Sequence, residues 1–217
     1  VETVHFSCME RVDFDRYRCV IFANCFRMTA QQRQVVREKV LCGGRHVVFC
    51  CAPGYTDSAE NRLAFVEEVT GIALKKITSP QQPFAEVRTA AGLRRYGMHQ
   101  GFAPFFVPDL ERDAAICCAG TLCGGTEAAL AYKQEEDCTV WYSSLAVTDA
   151  VVLREIFRKA GAHVYVDSGD IVYAGGGILL LHTASGGHKT VALRSGRAVQ
   201  LEISPNATVF LDEETGG

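Results

Sequence analysis

Residues 18 to 50 contain a strand, a helix and a second strand joined by short connections. The segment RCVIFANC is a nearly continuous apolar run, which is typical of a parallel strand covered on both faces. Thr29 and Gln32 are then spaced as a capping box, and Gly43-Gly44 supplies the left-handed backbone that ends a helix. The apolar run HVVFCC follows at once. This unit predicts two parallel strands with a helix crossing between them.

Three further segments differ in their residue patterns and in the structure that those patterns predict. Asp57-Ser58-Ala59-Glu60 predicts a second capping box, and Gly71 predicts the end of the helix behind it. Residues 79–108 carry four prolines and little periodicity, so they predict a long irregular excursion with one short strand near 84–88. From 113 to 143, short apolar runs alternate with turn residues, which predicts antiparallel strands.

In the last third of the chain, one predicted helix is followed by a strand-like residue pattern. Thr148 is the predicted cap of this helix, and Val152 and Ile156 belong to its predicted buried stripe. Short strand-like runs separated by glycine-rich turns follow, and they predict a small β-rich, sandwich-like part. The sequence therefore predicts an α/β domain over 1–161 and a β-rich domain over 162–217.

Composition excludes several classes of partner. The net charge of −3 and the scattered basic residues give no basis for binding nucleic acid. No apolar run reaches the roughly 20 residues of a membrane-spanning helix, and the first residues lack the pattern of a signal peptide. Because the sequence starts at Val1 without a methionine, we expect it to be processed or cut from something longer.

Six of the ten cysteines lie inside the apolar runs RCVIFANC, VVFCCA and AAICCAG, and the ten lack the CxxC spacing of a zinc site. They are best interpreted as small hydrophobic residues in a reducing compartment, which predicts a cytoplasmic location. His163, Asp167, Asp170 and His182 could together ligate a divalent ion, but aspartates near a turn are more often turn formers. We therefore expect no metal and no cofactor.

Cys50 and Cys51 end a strand at the kind of corner where nucleophilic cysteines are presented. A nucleophile elbow requires small residues two positions to either side, and neither cysteine has them. Both remain weak nucleophile candidates. Tyr55 and Asp57, in the loop that follows, are better candidates to face a ligand or a partner, because open α/β sheets bind ligands at the carboxyl ends of their strands.

Two other groups of residues bear on glycoside chemistry. Glu60, Glu67 and Glu68 lie on a predicted solvated helix rather than across a cleft, as paired catalytic carboxylates must. Trp141 could act as a platform for a sugar ring, but its place in the apolar run TVWYSS favours a core residue.

The order of these segments resembles a known family. DFDRYRCVIFANCFRMTAQQRQVVREKVLCGGRHVVFCCAPGYTD resembles the middle domain of the β-galactosidases of glycoside hydrolase family 42. ALAYKQEEDCTVWYSS is similar to the hairpin that closes that domain. LREIFRKAGAHVYVDSGDIVYAGGGILLLHTASGGHKTVALRSG resembles the helix and β-rich C-terminal portion of related bacterial glycosidase-like proteins.

This resemblance implies a fold and an arrangement of partners. The fold would be flavodoxin-like, as in class I glutamine amidotransferases, with a parallel sheet flanked by helices and its first strand-helix unit missing. The family's middle domain is associated with trimer assembly, so homo-oligomer partners are implied. The family's catalytic glutamates lie in a (β/α)8 barrel, which this chain is too short to contain, so the barrel would be another domain of the same polypeptide.

The resulting functional hypothesis is a non-catalytic portion of a bacterial β-galactosidase-like glycoside hydrolase, which assists assembly and shapes the cleft of the barrel. One alternative is a stand-alone cysteine-dependent hydrolase of the amidotransferase type. Another is a small carbohydrate-binding α/β module.

Overall fold

A computed structural model describes residues 2–217 of the chain. The chain is 38% strand and 18% helix, so β-structure dominates. It divides into two compact units, of which the first ends at Ala160 and the second is Gly161–Gly217. The domain assignments 1–161 and 162–217 stay a prediction.

The bounds of the regular elements are as follows. The helices of the first unit are α1 (Ala30–Val35), α2 (Leu63–Thr70) and α3 (Ala150–Lys159), and a π-helical turn over Val36–Val40 continues α1. Its strands are β1 (Cys19–Phe22), β2 (Arg45–Cys50), β3 (Leu74–Ile77), β4 (Phe84–Thr89), β5 (Gly92–Gly97), β6 (Phe105–Pro108), β7 (Cys117–Leu122), β8 (Ala128–Gln134) and β9 (Cys138–Ser143). The second unit contains β10 (Ile171–Gly175), β11 (Ile178–Thr183), β12 (Gly187–Ala192), β13 (Ala198–Ile203) and β14 (Ala207–Asp212).

The first unit is organised around a mixed seven-stranded sheet with the order β1-β2-β9-β8-β7-β4-β5. The strands β1, β2 and β9 are parallel. The other neighbouring pairs, from β9 through to β5, are antiparallel. A separate antiparallel pair joins β3 to β6.

The prediction of a flavodoxin-like, amidotransferase-like parallel sheet flanked by helices is wrong. The parallel run stops after three strands, because β3 leaves the large sheet to pair with β6 and antiparallel hairpins complete the sheet instead. The predicted irregular excursion over 79–108 supplies β4, β5 and β6, which include much of this antiparallel structure. Alternation along a strand identifies its buried face but not its partner, so the sequence pattern favoured the wrong sheet.

Several local predictions are confirmed. β1 and β2 are parallel and are separated in sequence by α1, which starts at the predicted capping box of Thr29 and Gln32. Gly71 ends α2 in the left-handed conformation. β7, β8 and β9 are antiparallel, as the turn spacing indicated.

Two predicted helix caps are wrong. The Asp57–Glu60 segment caps no helix, because α2 begins only at Leu63, after Arg62. The Asp57 carboxylate instead accepts hydrogen bonds inside the loop. The third helix is capped by Asp149 rather than by Thr148, since the Asp149 carboxylate reaches the backbone amides of Val151 and Val152.

Opposite faces of the large sheet belong to two apolar clusters. Val47 and Phe49 of β2 pack in the cluster that contains Val36 and Val40 of the π-helical turn and Val66 and Val69 of α2. Val48 and Cys50 point the other way, into a cluster shared with β4, β6 and α3. Because successive strand residues face opposite sides, a strand covered on both faces reads as the continuous apolar run seen in the sequence.

The second unit has a core of its own. Antiparallel β10, β11 and β14 form one sheet, and β12 and β13 form a hairpin. Leu179, Leu181 and Val191 are fully buried in its core. The turn between β10 and β11 contains Gly176 and Gly177 at positive φ, as expected of a tight hairpin. The HVYVD segment at 163–167, which reads as a strand in the sequence, is not part of a sheet.

No helix among residues 2–217 combines the length and the apolar character that crossing a lipid bilayer demands.

Candidate functional site

The carboxyl ends of β1, β2 and β9 meet at one edge of the sheet, because these three strands are parallel. The loop that follows β2 turns sharply there, with Cys51 at a φ of 66° and its amide donating to the Ser143 carbonyl at 2.8 Å. Gly54 has a φ of 70° and lies close to Met28 and Val69, so the loop packs against the helical layer. The loop is therefore a fixed corner.

Further hydrogen bonds join this loop to the segment after β1. The amide of Gly54 donates to the Cys25 carbonyl at 2.8 Å, and the amide of Thr56 donates to the Phe26 carbonyl at 3.0 Å. Arg27 Nε donates to Ser58 Oγ at 2.9 Å. The two loops consequently form one surface at the strand ends.

The chemistry of Cys50 and Cys51 follows from their burial. Cys50 is buried and Cys51 is half-buried. Burial raises the pKa of the Cys51 thiol to about 12, and it also raises the pKa of Cys50. A nucleophilic cysteine requires the opposite shift, toward the thiolate at neutral pH. Both thiols are therefore held protonated at this corner.

Tyr55 and Asp57 lie on the same loop with different surroundings. The Tyr55 ring is half-buried against Phe106, with ring centroids 5.3 Å apart, so its position is fixed by packing. Asp57 Oδ1 accepts the amides of Ala59 and Glu60 at 3.0 and 3.2 Å. These two hydrogen bonds, led by that of Ala59, lower the pKa of the Asp57 carboxyl. The loop thus presents a rigid aromatic ring and an ionised carboxylate.

A layer of hydroxyl groups lies beneath the corner and was missed in the sequence. The Tyr142 hydroxyl donates to the Cys51 carbonyl, and Tyr96 and Ser143 share a buried hydrogen bond of 2.8 Å. Ser144 Oγ is buried and has no hydrogen-bond partner among the described residues. The sequence signal for this layer was YSS, the three hydroxyl residues that end an otherwise apolar strand. Hydroxyl groups that are buried with such a strand need hydrogen-bond partners.

A second candidate region is an open groove of about 810 Å³ in the first unit. It is lined by residues 76–81 and by residues 100–103 with Phe105. Phe102 is half-buried and contacts Phe105 edge-on, with ring centroids 5.1 Å apart. Ser79 Oγ accepts the Phe102 amide at 3.3 Å and joins the two walls. The lining combines an aromatic ring with polar side chains such as Gln81 and Gln100.

A smaller crevice of about 280 Å³ lies beside Trp141. Trp141 is only 3% exposed, which is the core position favoured by its sequence context. Lys159 Nζ lies 5.4 Å from the centroid of the Tyr132 ring and 5.3 Å from that of the Trp141 ring, and it covers both. Because the indole is enclosed in this way, the groove near Phe102 is the more accessible surface.

Three of the candidate metal ligands, His163, Asp170 and His182, have partners within the chain. Asp170 pairs with Lys189 at 2.8 Å, His163 Nε2 bonds the Ala192 carbonyl at 2.8 Å, and His182 Nδ1 bonds Thr208 Oγ1 at 2.9 Å. Across residues 2–217, no three His, Cys, Asp or Glu side chains are arranged to hold a metal ion.

Comparison with known proteins finds a similar solved structure but no matching family by sequence. No protein-family model matches the chain, and no curated protein is similar to it in sequence. A solved structure titled "Polyextremophilic Beta-galactosidase from the Antarctic haloarchaeon Halorubrum lacusprofundi" matches with a TM-score of 0.65 at 15% identity. The match covers 94% of this chain and 32% of the β-galactosidase.

At this level of identity the similarity concerns the fold. The chain shares the fold of part of a β-galactosidase and spans about a third of that protein's length. The finer resemblance to the middle domain of glycoside hydrolase family 42 stays a prediction.

Proposed function

We propose that this chain is a non-catalytic portion of a β-galactosidase-like glycoside hydrolase, which assists assembly and shapes the cleft of a neighbouring (β/α)8 catalytic domain. One observation carries the proposal. The similarity to a β-galactosidase takes in 94% of this chain but only 32% of the other protein, so an enzyme of that kind has ample length for a separate catalytic domain.

The carboxylates of the first unit support a structural role. Glycoside hydrolysis uses two carboxyl groups that face each other across the scissile bond. Here Glu68 pairs with Arg33 at 3.0 Å and with Arg37 at 2.6 Å, and Glu67 pairs with Arg112 at 2.7 Å. These glutamates stabilise α2 against its neighbours instead of facing a cleft. The protonated thiols of Cys50 and Cys51 likewise disfavour the cysteine-hydrolase alternative.

An activity assay tests the proposal directly. The purified 217-residue chain should hydrolyse an aryl β-galactoside no faster than buffer, and Glu68→Gln and Asp57→Asn variants should behave identically. Turnover that a single Asp or Glu substitution abolishes would contradict it. The reading frame upstream of Val1 gives a second test, because the proposal expects a (β/α)8 barrel with two catalytic glutamates there.

The groove near Phe102 favours a second candidate function, the binding of a small carbohydrate. Sugars present an apolar ring face that packs on aromatic side chains and hydroxyl groups that bond polar ones, and this groove contains both kinds of side chain. Calorimetric titration with galactose and lactose measures such binding. Phe102→Ala should abolish the heat of binding while Leu93→Ala, at an exposed site outside the groove, should preserve it. Equal heats from both variants would exclude the groove.

A further inference from the structure

The lining of the groove near Phe102 has a basic residue and no acidic one. Among residues 2–217, those that line it include Lys76 but no Asp or Glu. The chain as a whole is acidic, with 25 Asp and Glu residues against 22 Lys and Arg. An anion in this groove would therefore meet a cation and no carboxylate of the described lining.

The adjacent lysines Lys75 and Lys76 differ in their partners. Lys75 Nζ pairs with a Glu127 carboxylate oxygen at 2.9 Å. Lys76 is exposed and forms no ion pair within residues 2–217. A lysine ammonium ends a flexible four-carbon stem, so the charge of Lys76 can reach a ligand in the groove. The charge of Lys75 is already matched by Glu127.

Three neutral side chains of the lining are also free to bond a ligand. Thr78, Gln81 and Gln100 are exposed, and their side chains form no hydrogen bond with another residue in the range 2–217. One hydroxyl and two amides can both donate and accept, which suits the hydroxyl groups of a sugar. Phe102 adds an aromatic ring against which an apolar sugar face can pack.

Contacts between the two walls fix the shape of the groove. A Cβ at Gly101 would lie 2.5 Å from the Pro80 carbonyl oxygen, so the backbones of the two walls touch there. The hydrogen bond from the Phe102 amide to Ser79 Oγ lies beside this contact. The volume of about 810 Å³ is in the upper part of the range of roughly 300–1,000 Å³ for small-molecule sites, which gives room for about two sugar rings.

We propose that the groove binds an acidic saccharide, a short chain of uronic acid units, with Phe102 against one ring and the Lys76 ammonium paired with a carboxylate. A uronic acid combines an apolar ring face, hydroxyl groups and a carboxylate, and the lining matches all three. A neutral sugar would leave Lys76 unmatched, and a small anion without a ring would leave Phe102 unused. Because the lining within residues 2–217 has no pair of carboxyl groups, the groove would bind this sugar without cleaving it.

This inference rests on the second candidate function, since it names the class of carbohydrate that the groove takes. A neutral sugar of the same size distinguishes the two proposals. Binding of that sugar tests the carbohydrate function by itself, whereas the difference in affinity between the acidic and the neutral sugar tests the inference.

Calorimetric titration of the full 217-residue chain with digalacturonate, and with its neutral counterpart galactobiose, is the decisive experiment. At low salt, where screening is weak, digalacturonate should bind at least about threefold more tightly, as expected of one exposed ion pair. Lys76→Gln should remove this difference and leave the affinity for galactobiose unchanged. Lys75→Gln is the matched control and should keep the difference, because Lys75 lies outside the lining and is paired with Glu127.

Each outcome bears on a separate part of the proposal. Loss of the difference in Lys76→Gln alone, with unchanged circular dichroism, supports it. Equal affinities of the unmodified chain for the two sugars overturn the acidic preference and leave the carbohydrate function standing, whereas binding of neither sugar overturns both. A preference that survives Lys76→Gln overturns the pairing with Lys76. Equally tight binding of the dipeptide diglutamate overturns the saccharide, because the groove would then recognise charge alone.

Discussion

Trp141 Nε1 donates a hydrogen bond to Nδ1 of His46 over 3.1 Å, and this bond joins the neighbouring parallel strands β9 and β2. The bond requires an unprotonated Nδ1, so the imidazole must be neutral in the folded chain. Burial and the nearby Lys159 ammonium both lower the pKa of His46, which favours the same form. Trp141 is the only tryptophan of the sequence, so its fluorescence reports on this contact.

The His46 pKa predicts a loss of stability in mild acid. Above the unfolded-state pKa of about 6.5, the imidazole is neutral in both states and the contribution of the contact is fully present. As the pH falls below that value, the unfolded chain takes up a proton that the folded chain resists, so the free energy of unfolding decreases until the lower folded-state pKa is passed. Trp141 emission, followed during urea unfolding at a series of pH values, measures this change.

A matched pair of histidine variants tests the assignment. His46→Phe should remove this pH-dependent component, while His188→Phe should retain it because His188 is on the surface, with a 91% exposed side chain. Equal behaviour of the two variants would mean that His46 is not the titrating group.

Thiol accessibility gives a second prediction. Among residues 2–217, four cysteines are exposed, namely Cys8, Cys117, Cys118 and Cys123. These should react with Ellman's reagent at neutral pH in the native chain, whereas Cys50 and Cys51 should react only after unfolding, because burial protects them and raises their pKa values. Cys123→Ser should reduce the fast phase by one thiol, and Cys51→Ala should leave it unchanged. Stoichiometric labelling of Cys50 or Cys51 by iodoacetamide at acidic pH would instead revive the nucleophile hypothesis.

The neighbouring glycines Gly186 and Gly187 predict different costs for the same substitution. Both have positive φ, of 67° and 89°. A Cβ at Gly187 meets open space, whereas a Cβ at Gly186 would lie 2.6 Å from Pro205 N and 2.7 Å from the Ile203 carbonyl oxygen. Gly187→Ala should therefore lower the free energy of unfolding by about 1 kcal/mol, for its backbone conformation alone. Gly186→Ala should lower it by roughly 3 kcal/mol or more, because the added Cβ also clashes. Urea unfolding followed by circular dichroism measures both costs, and equal values would show that the backbone shifts freely at Gly186.

The buried guanidinium of Arg45 predicts a large effect of its removal. Arg45 is 3% exposed and donates to the carbonyls of Phe14 and Cys42 at 2.9 and 2.6 Å, and it also pairs with Asp15. Arg45→Met would remove all of these interactions, and the Phe14 carbonyl would keep only the hydrogen bond from the Tyr17 amide, so the loss should cost about 2–4 kcal/mol. Arg37→Met is the control, because the side chain of Arg37 is 44% exposed and its ion pair should contribute less than about 1 kcal/mol. A small effect at Arg45 would indicate that water replaces its hydrogen bonds.

The candidate site could be located from the sequence only in part. The corner after HVVFCC was identified because an apolar run followed by Pro53 and Gly54 ends a strand by local chemistry. The burial of Cys50 and Cys51 at this corner was not predictable, because it depends on residues distant in the sequence. The pKa shifts of the two thiols follow from that burial. The groove near Phe102 was missed entirely, because its two walls are separated in sequence by the β4-β5 hairpin.

The sequence by itself determined the features that rest on contacts within a few residues. The capping box of Thr29, the left-handed stop at Gly71 and the hairpin at Gly176-Gly177 each follow from local backbone chemistry. Only the tertiary structure decided that three parallel strands continue into an antiparallel sheet, and that one face of the β10-β11-β14 sheet stays exposed. The physical reason is that alternation marks which side chains share a face, while long-range packing chooses the neighbouring strand and whether that face is covered.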